Sequence, residues 1–88
     1  MVRHLQMIIT GKVENTGFRF YALRGANLFH LTGEVSQQSD KVIIDAEGED
    51  ERLADFEAWC RKGPEGSEIS AFTKHEKELV GYEDFRIL

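Results

Sequence analysis

The stretch Gly11 to Arg19, GKVENTGFR, is where one hydrophobic period stops and another begins. Before it, Leu5, Met7 and Ile9 alternate with Gln6, Ile8 and Thr10, the period of a half-buried strand. After it, from Arg19 to His30, the period is helical: Ala22, Ala26 and Phe29 share one face, while Arg24 and Asn27 look outward. The small Gly25 and Ala26 are expected to let this helix lie close to a sheet. A glycine-bounded loop that leaves a strand and opens a helix presents main-chain N–H groups and the positive end of a helix dipole, which together suit an anion. Arg19 adds a planar, permanently charged fork at the first turn. The nine residues alone also describe an ordinary strand-to-helix turn with a solvated arginine.

The rest of the chain supplies the context. Thr32 to Gln37 and Lys41 to Glu47 read as two strands joined by Gln38-Ser39-Asp40, with Val42, Ile44 and Ala46 inward and Ile43, Asp45 and Glu47 outward. The usual Asn-Gly or Asp-Gly turn is missing, so the turn type of this hairpin stays open. Glu49 to Lys62 reads as a second helix with Leu53, Phe56 and Cys60 as its buried stripe. Acids fill its first turn, Arg61 and Lys62 its last, and Gly63-Pro64 stops it. Ile69 to Lys74 and Tyr82 to Ile87 follow as closing strands, linked by a polar segment, Glu76 to Gly81, that reads as mobile. Two helices in so short a chain can cover only one face of a sheet. The expected fold is α+β, a ferredoxin-like split βαβ sandwich (βαββαβ) with an antiparallel sheet and two helices on one face, plus a short extra strand. Residues 1–88 are expected to form a single domain, with no repeat, linker or low-complexity segment.

Size and charge set bounds. A domain of 88 residues hides only about 60 to 65% of its unfolded surface, so its stability is modest. With 16 acidic against 11 basic residues the formal charge is −5, which repels nucleic acid and anionic lipid. For an anionic ligand the same field is a mild handicap that a local cationic pocket must overcome. Cys60 is the only cysteine, so neither an internal disulfide nor a multi-cysteine metal site can form. The first ten residues are too short and polar for a signal peptide, and no apolar run approaches a membrane span. A cytoplasmic location, no membrane contact and no nucleic-acid partner are expected.

The order of motifs carries more than any one of them: GKVENTGFR, then a helix, then Leu31-Thr32-Gly33-Glu34-Val35, a strand ending Glu47-Gly48, then Gly63-Pro64 and a closing Phe85-Arg86-Ile87. This series resembles the acylphosphatase family across nearly the whole chain. The resemblance implies hydrolysis of acyl phosphates, mixed anhydrides of a carboxylic and a phosphoric acid, to carboxylate and inorganic phosphate. A carboxylate is a good leaving group, so such an enzyme needs no metal, cofactor or covalent nucleophile if it positions phosphate and water and stabilises the spreading charge. The implied partner is a small acyl phosphate or inorganic phosphate, and a monomer is expected.

Carried over by position, the resemblance places Glu14, Asn15, Thr16, Gly17 and Phe18 as a main-chain phosphate cradle. It makes Arg19 the catalytic cation. Asn15 stands where the family has glycine, and asparagine is the non-glycine residue best suited to a left-handed backbone. Glu14 brings a carboxylate roughly 6 Å from a bound phosphate, worth about 1 kcal/mol of repulsion even in water. It does little harm if it points away or pairs with Lys12. Gln37 replaces the asparagine that the family uses to orient the attacking water. The carboxamide is kept one methylene further out, and a misplacement of about 1 Å can cost on the order of a hundredfold in rate. Either Gln37 compensates by a bent rotamer, or the protein binds phosphate and turns over slowly. Ser36 should point to the opposite face of its strand.

Other residues invite plainer readings. His4, His30 and His75 lie far apart in sequence and read as surface residues, with His30 where a helix normally ends in glycine; no metal site is expected. Cys60 reads as a small core hydrophobe and Trp59 as packing. Glu47, Glu49, Asp50 and Glu51 read as a solvated edge and a charged first turn. Two alternatives to the enzyme keep the fold: a catalytically weak or inactive phosphate or acyl-phosphate binding module, and an interaction domain that uses an exposed edge strand near the carboxyl end. Nucleic-acid binding on this topology would want paired aromatics where Met7, Ile8 and Ile43 stand.

Overall fold

The computed structural model describes residues 1–88. Its elements are β1 (Val2–Lys12), α1 (Phe18–Leu28), β2 (Thr32–Gln38), β3 (Lys41–Glu49), α2 (Asp50–Lys62), β4 (Glu68–Lys77) and β5 (Phe85–Ile87). They form one five-stranded sheet in the order β4-β1-β3-β2-β5. The expected βαββαβ sandwich is present. One feature departs from expectation: the sheet is mixed, because β5 pairs parallel to β2 while the other pairings are antiparallel. The reason is topological. The chain leaves β4 at the sheet end where β2 begins, so a strand added beyond β2 must run alongside it.

Register fixes the two faces. Met7 lies opposite Ile44, Ile9 opposite Val42, and Val35 opposite Ile44, so these buried side chains share a face with half-buried Leu5. Phe18, Ala22 and Ala26 of α1 and Leu53, Phe56 and Cys60 of α2 complete the core against that face. Complete burial of a large apolar side chain such as Phe18 or Phe56 contributes about 1.5–3 kcal/mol each. The sequence reading of the α2 stripe is borne out, and burial pushes the Cys60 thiol well above its ordinary range, with the nearby Glu57 charge adding to the shift. An inert, packed thiol fits that environment.

Gly25 acts differently from expectation. Its close neighbour is not the sheet but Trp59 of α2: a β-carbon at residue 25 would sit 2.4 Å from the indole. The indole Nε1 donates to the Tyr21 carbonyl at 2.9 Å, the Tyr21 hydroxyl donates to the Trp59 carbonyl at 2.8 Å, and the two rings stack 4.8 Å apart. Reciprocal hydrogen bonds of this kind set the spacing of the helices as well as joining them. Gly25→Ala forces the indole out of this position and is expected to cost about 1–3 kcal/mol in urea unfolding, with loss of the Trp59 near-ultraviolet signal.

The face away from the helices holds the largest correction. Residues 78–84 link β4 at one edge to β5 at the other, and so must cross this face. Glu47 and His4 lie beneath the connection, only 6% and 3% exposed, not at the surface. Glu47 accepts main-chain hydrogen bonds from Val80 at 2.5 Å and Gly81 at 3.0 Å. The Nε2 of His4 meets Asp45 Oδ1 at 2.7 Å, and its Nδ1 lies 3.0 Å from both the Glu78 carbonyl and Glu47 Oε2. Tyr82 packs edge-on against the His4 ring. The segment read as mobile is thus tied down by a buried carboxylate. An isolated charge there would be costly, and it is tolerated because each oxygen has a donor.

Burial pushes the Glu47 carboxyl up, but the N–H groups of Val80, Gly81 and Tyr82 and the charge of His4 outweigh it and hold the group below its ordinary value of 4.5. A depressed folded value means that the ionised carboxylate stabilises the fold above pH 4.5, and that this contribution is lost as pH falls through the lower folded value. Glu47→Gln should lower stability at neutral pH by about 2 kcal/mol. Below pH 4.5 the acid loss of stability should be shallower in the variant than in the wild type, as read by urea titration at successive pH values.

Candidate functional site

Strand β1 carries a bulge between Thr10 and Gly11, which bends the chain out of the sheet. Gly11 donates to the Asp40 carbonyl at 2.9 Å, tying the start of the loop to the β2–β3 turn. The loop then turns twice through left-handed backbone, at Asn15 (φ 59°) and at Gly17 (φ 74°). Asparagine and glycine are the residues that accept this conformation at least cost, so the expectation for Asn15 holds. Thr16 Oγ1 donates to the Val13 carbonyl at 2.5 Å and closes the turn from inside.

The donors of this loop are left open. None of the main-chain hydrogen bonds outside the helices and strands is donated by residues 14–19, and the first bond of α1 runs from Tyr21 to the Gly17 carbonyl at 2.9 Å. Gly17 offers no capping side chain, and no acid occupies the first turn of α1. At α2 the contrast is plain, since Asp50 and Glu51 sit in its first turn and answer its dipole. The amino end of α1 has no such internal counter-charge.

Phe18 is completely buried, and Arg19, one position on, is exposed. The ion pairs of the molecule engage Arg3, His4, Lys12, Arg61, Lys74, Arg86 and the terminal amine, and none engages Arg19. Its guanidinium is therefore free to take an anion. Across from α1, Gln37 is half-buried near the end of β2. It is paired with Val42 and so lies on the helix side of the sheet, while Ser36, paired with Ile43, lies on the other side.

Glu14, Asn15, Gly17, Arg19, Phe20, Gln37 and Ser39 line one open depression of about 260 Å³. Of the residues singled out from sequence, the structure brings five into that lining. Thr16 and Phe18 do not line it; the hydroxyl of one closes the turn and the ring of the other is core. Glu14 is not neutralised by Lys12, because Lys12 lies 3.5 Å from Glu68 instead. The sequence reading missed Phe20 and Ser39. Ser39 begins a two-residue turn between the paired Gln38 and Lys41 and has φ 52°, a position that only the closed hairpin reveals. Phe20 carried no polar signal to single it out.

A second depression, about 210 Å³, lies between β1, α2 and β4. Its charges are already spent on one another: Arg3 pairs with Asp50 and Glu76, and Glu57 with Lys74 at 2.9 Å. No unpaired cation is left there for an anion. His30 and His75 are both exposed as expected, and no cluster of histidine, cysteine and carboxylates suited to a metal ion occurs. No helix is long and apolar enough to cross a membrane.

A strand–loop–helix unit with open N–H groups, an unpaired arginine and a facing carboxamide is an arrangement suited to an anion. Comparison with known proteins identifies the family. The acylphosphatase family model matches residues 5–87, and the chain belongs to that family. An acylphosphatase of Actinobacillus succinogenes is 35% identical over 86 residues, covering 93% of each chain. The crystal structure of the Bacillus subtilis acylphosphatase superposes with a TM-score of 0.93 at 28% identity, over 100% of this chain and 99% of that one. The chain also matches 12% of the full-length HypF crystal structure, a phosphate- and nucleotide-bound form, with a TM-score of 0.95 at 29% identity.

Inorganic phosphate is expected to stabilise the protein against thermal unfolding, by about 2.7 kcal/mol at a hundredfold excess over Kd. Arg19→Ala should remove this shift, and Arg19→Lys, which keeps the charge and loses the fork, should retain only a small part of it. An undiminished shift in Arg19→Ala would place the anion elsewhere.

Proposed function

We propose that the chain hydrolyses acyl phosphates to carboxylate and inorganic phosphate at the depression between the β1–α1 loop and the end of β2. The observation that carries this reading is the joint lining of one depression by the unpaired Arg19, the loop with open donors and Gln37. The N–H groups of residues 14–18 hold the phosphoryl oxygens, and the Arg19 fork takes two of them. Gln37 accepts a hydrogen bond from a water molecule through its carbonyl and aims the water oxygen at phosphorus. The water oxygen forms a bond to phosphorus as the bond from phosphorus to the acyl oxygen breaks. The bonding pair leaves with the carboxylate, and the protons of the water pass to phosphate oxygen and solvent.

Because the donors are fixed before the substrate arrives, they stabilise charge on the transferring group without reorganising. The departing carboxylate is stable as an anion and needs no proton donor. Glu14 faces the same depression and weakens the binding of a dianion, so Arg19 has to overcome it. We assign the activity to residues 1–88 acting as one monomeric domain. The single, buried Cys60 favours the reducing environment of the cytoplasm.

The assay is release of phosphate from an acyl phosphate. Arg19→Ala should lower kcat/KM by at least about a hundredfold. Gln37→Ala should lower kcat by about a hundredfold and leave competitive inhibition by phosphate nearly as it was, since it aims water and does not hold the anion. Gln37→Asn, with the carboxamide drawn in by one methylene, should exceed the wild type in kcat. Phosphate protection with no wild-type turnover would favour a binding module instead, and full turnover in Arg19→Ala would end the mechanism.

A further inference from the structure

An acyl phosphate has two ends, and the main-chain donors and Arg19 account for only one of them. The other end is a carbon chain or ring of variable chemistry, and the walls of the depression differ in what they offer it. The loop contributes Glu14, Asn15 and Gly17, and the hairpin contributes Gln37 and Ser39. The helix wall contributes Arg19 and, next to it, Phe20, the single hydrophobic residue in the lining.

Phe20 is 62% exposed, the one phenylalanine, tyrosine or tryptophan among the strongly exposed large hydrophobic side chains of the molecule. It stacks on no other aromatic ring of the chain, unlike Phe18, Tyr21, Phe29, Phe56 and Phe85. A lone exposed apolar residue ordinarily calls for no explanation. Here its place supplies one, because an unpartnered aromatic face stands directly beside the cation that takes the phosphate. Glu14 contributes the complementary exclusion: an acyl group with a carboxylate of its own would meet a negative charge that no cation within the protein neutralises.

We propose that Phe20 is the acyl-side contact of the site, and that the depression selects acyl phosphates whose acyl group is uncharged and apolar, aromatic ones above all. The inference rests on the hydrolytic reading given above. Aromatic contact at a half-open site yields a modest preference, on the order of two- to tenfold, rather than absolute specificity. It acts on binding of the acyl group and so moves KM before kcat.

The experiment compares benzoyl phosphate with acetyl phosphate in the wild type, Phe20→Ala and Phe20→Leu. The wild type should favour benzoyl phosphate in kcat/KM. Phe20→Ala should reduce the benzoyl-to-acetyl ratio about two- to tenfold, mainly through KM for benzoyl phosphate, and Phe20→Leu should retain part of the preference. The melting temperature and the inhibition by inorganic phosphate, which has no acyl group, report whether the fold and the anion cradle persist in each variant. A ratio that stays put in Phe20→Ala, with the wild type active, overturns the proposal and leaves the hydrolytic reading standing. A wild type inert towards both substrates overturns the hydrolytic reading, and this proposal with it.

Discussion

The site depends on the burial of Phe18. Its ring is fully enclosed at the first turn of α1, which fixes both where the helix begins and how it is rotated about its axis. With Phe18, Ala22 and Ala26 committed to the core, the next two residues, Arg19 and Phe20, have to face away from it. The loop before the helix is equally constrained. It must cover the distance from a bulged strand to an anchored ring in a few residues, and it does so with two left-handed turns that leave its N–H groups pointing to no acceptor of the protein. In the free protein water satisfies these exposed donors and the guanidinium. The core contact at Phe18 decides where they stand.

The two faces of the sheet do different work. The helix face carries the apolar core and, at its end, the depression lined by Arg19 and Gln37. The other face carries a polar cluster of Asp45, His4 and Glu47 under the connection from β4 to β5. That cluster holds the last strand against β2, where Gly33 accepts pairing with Phe85 and Val35 with Ile87. Since β2 also bears Gln37 at its far end, the crossover fixes the strand that carries the facing carboxamide. The ionised Glu47 does this at the expense of acid stability, because its carboxylate is protonated as pH falls.

Much of this was legible along the chain. Alternation at Leu5, Met7 and Ile9, the switch to helical period after Gly17, the stripe Leu53, Phe56 and Cys60, and the stop at Gly63-Pro64 are local signals, and local rules read them correctly. Misreadings occurred where distant segments decide the environment. Glu47 alternates to the face away from the helices, and alternation says exposed; the crossing chain makes it buried. His4 is an ordinary surface histidine by composition and a buried ring by topology. Gly25 was expected to serve contact with the sheet, and it serves the indole of Trp59, 34 residues away in sequence.

Sequence alone determined the order of elements, the left-handed turn at Asn15, the position of Arg19 on the first helical turn and the core stripes of Met7 and Ile9, Ala22 and Ala26, and Leu53, Phe56 and Cys60, because each rests on periodicity or on the intrinsic preference of a residue for its own backbone angles. Only the tertiary structure decided that β5 lies parallel to β2, that Glu47 is buried, that Lys12 goes to Glu68 and leaves Glu14 unpaired, and that Phe20 and Ser39 stand in one depression with Arg19 and Gln37. Those are statements about which parts of the chain meet. They depend on the free energy of the whole packed assembly, and no local preference encodes them.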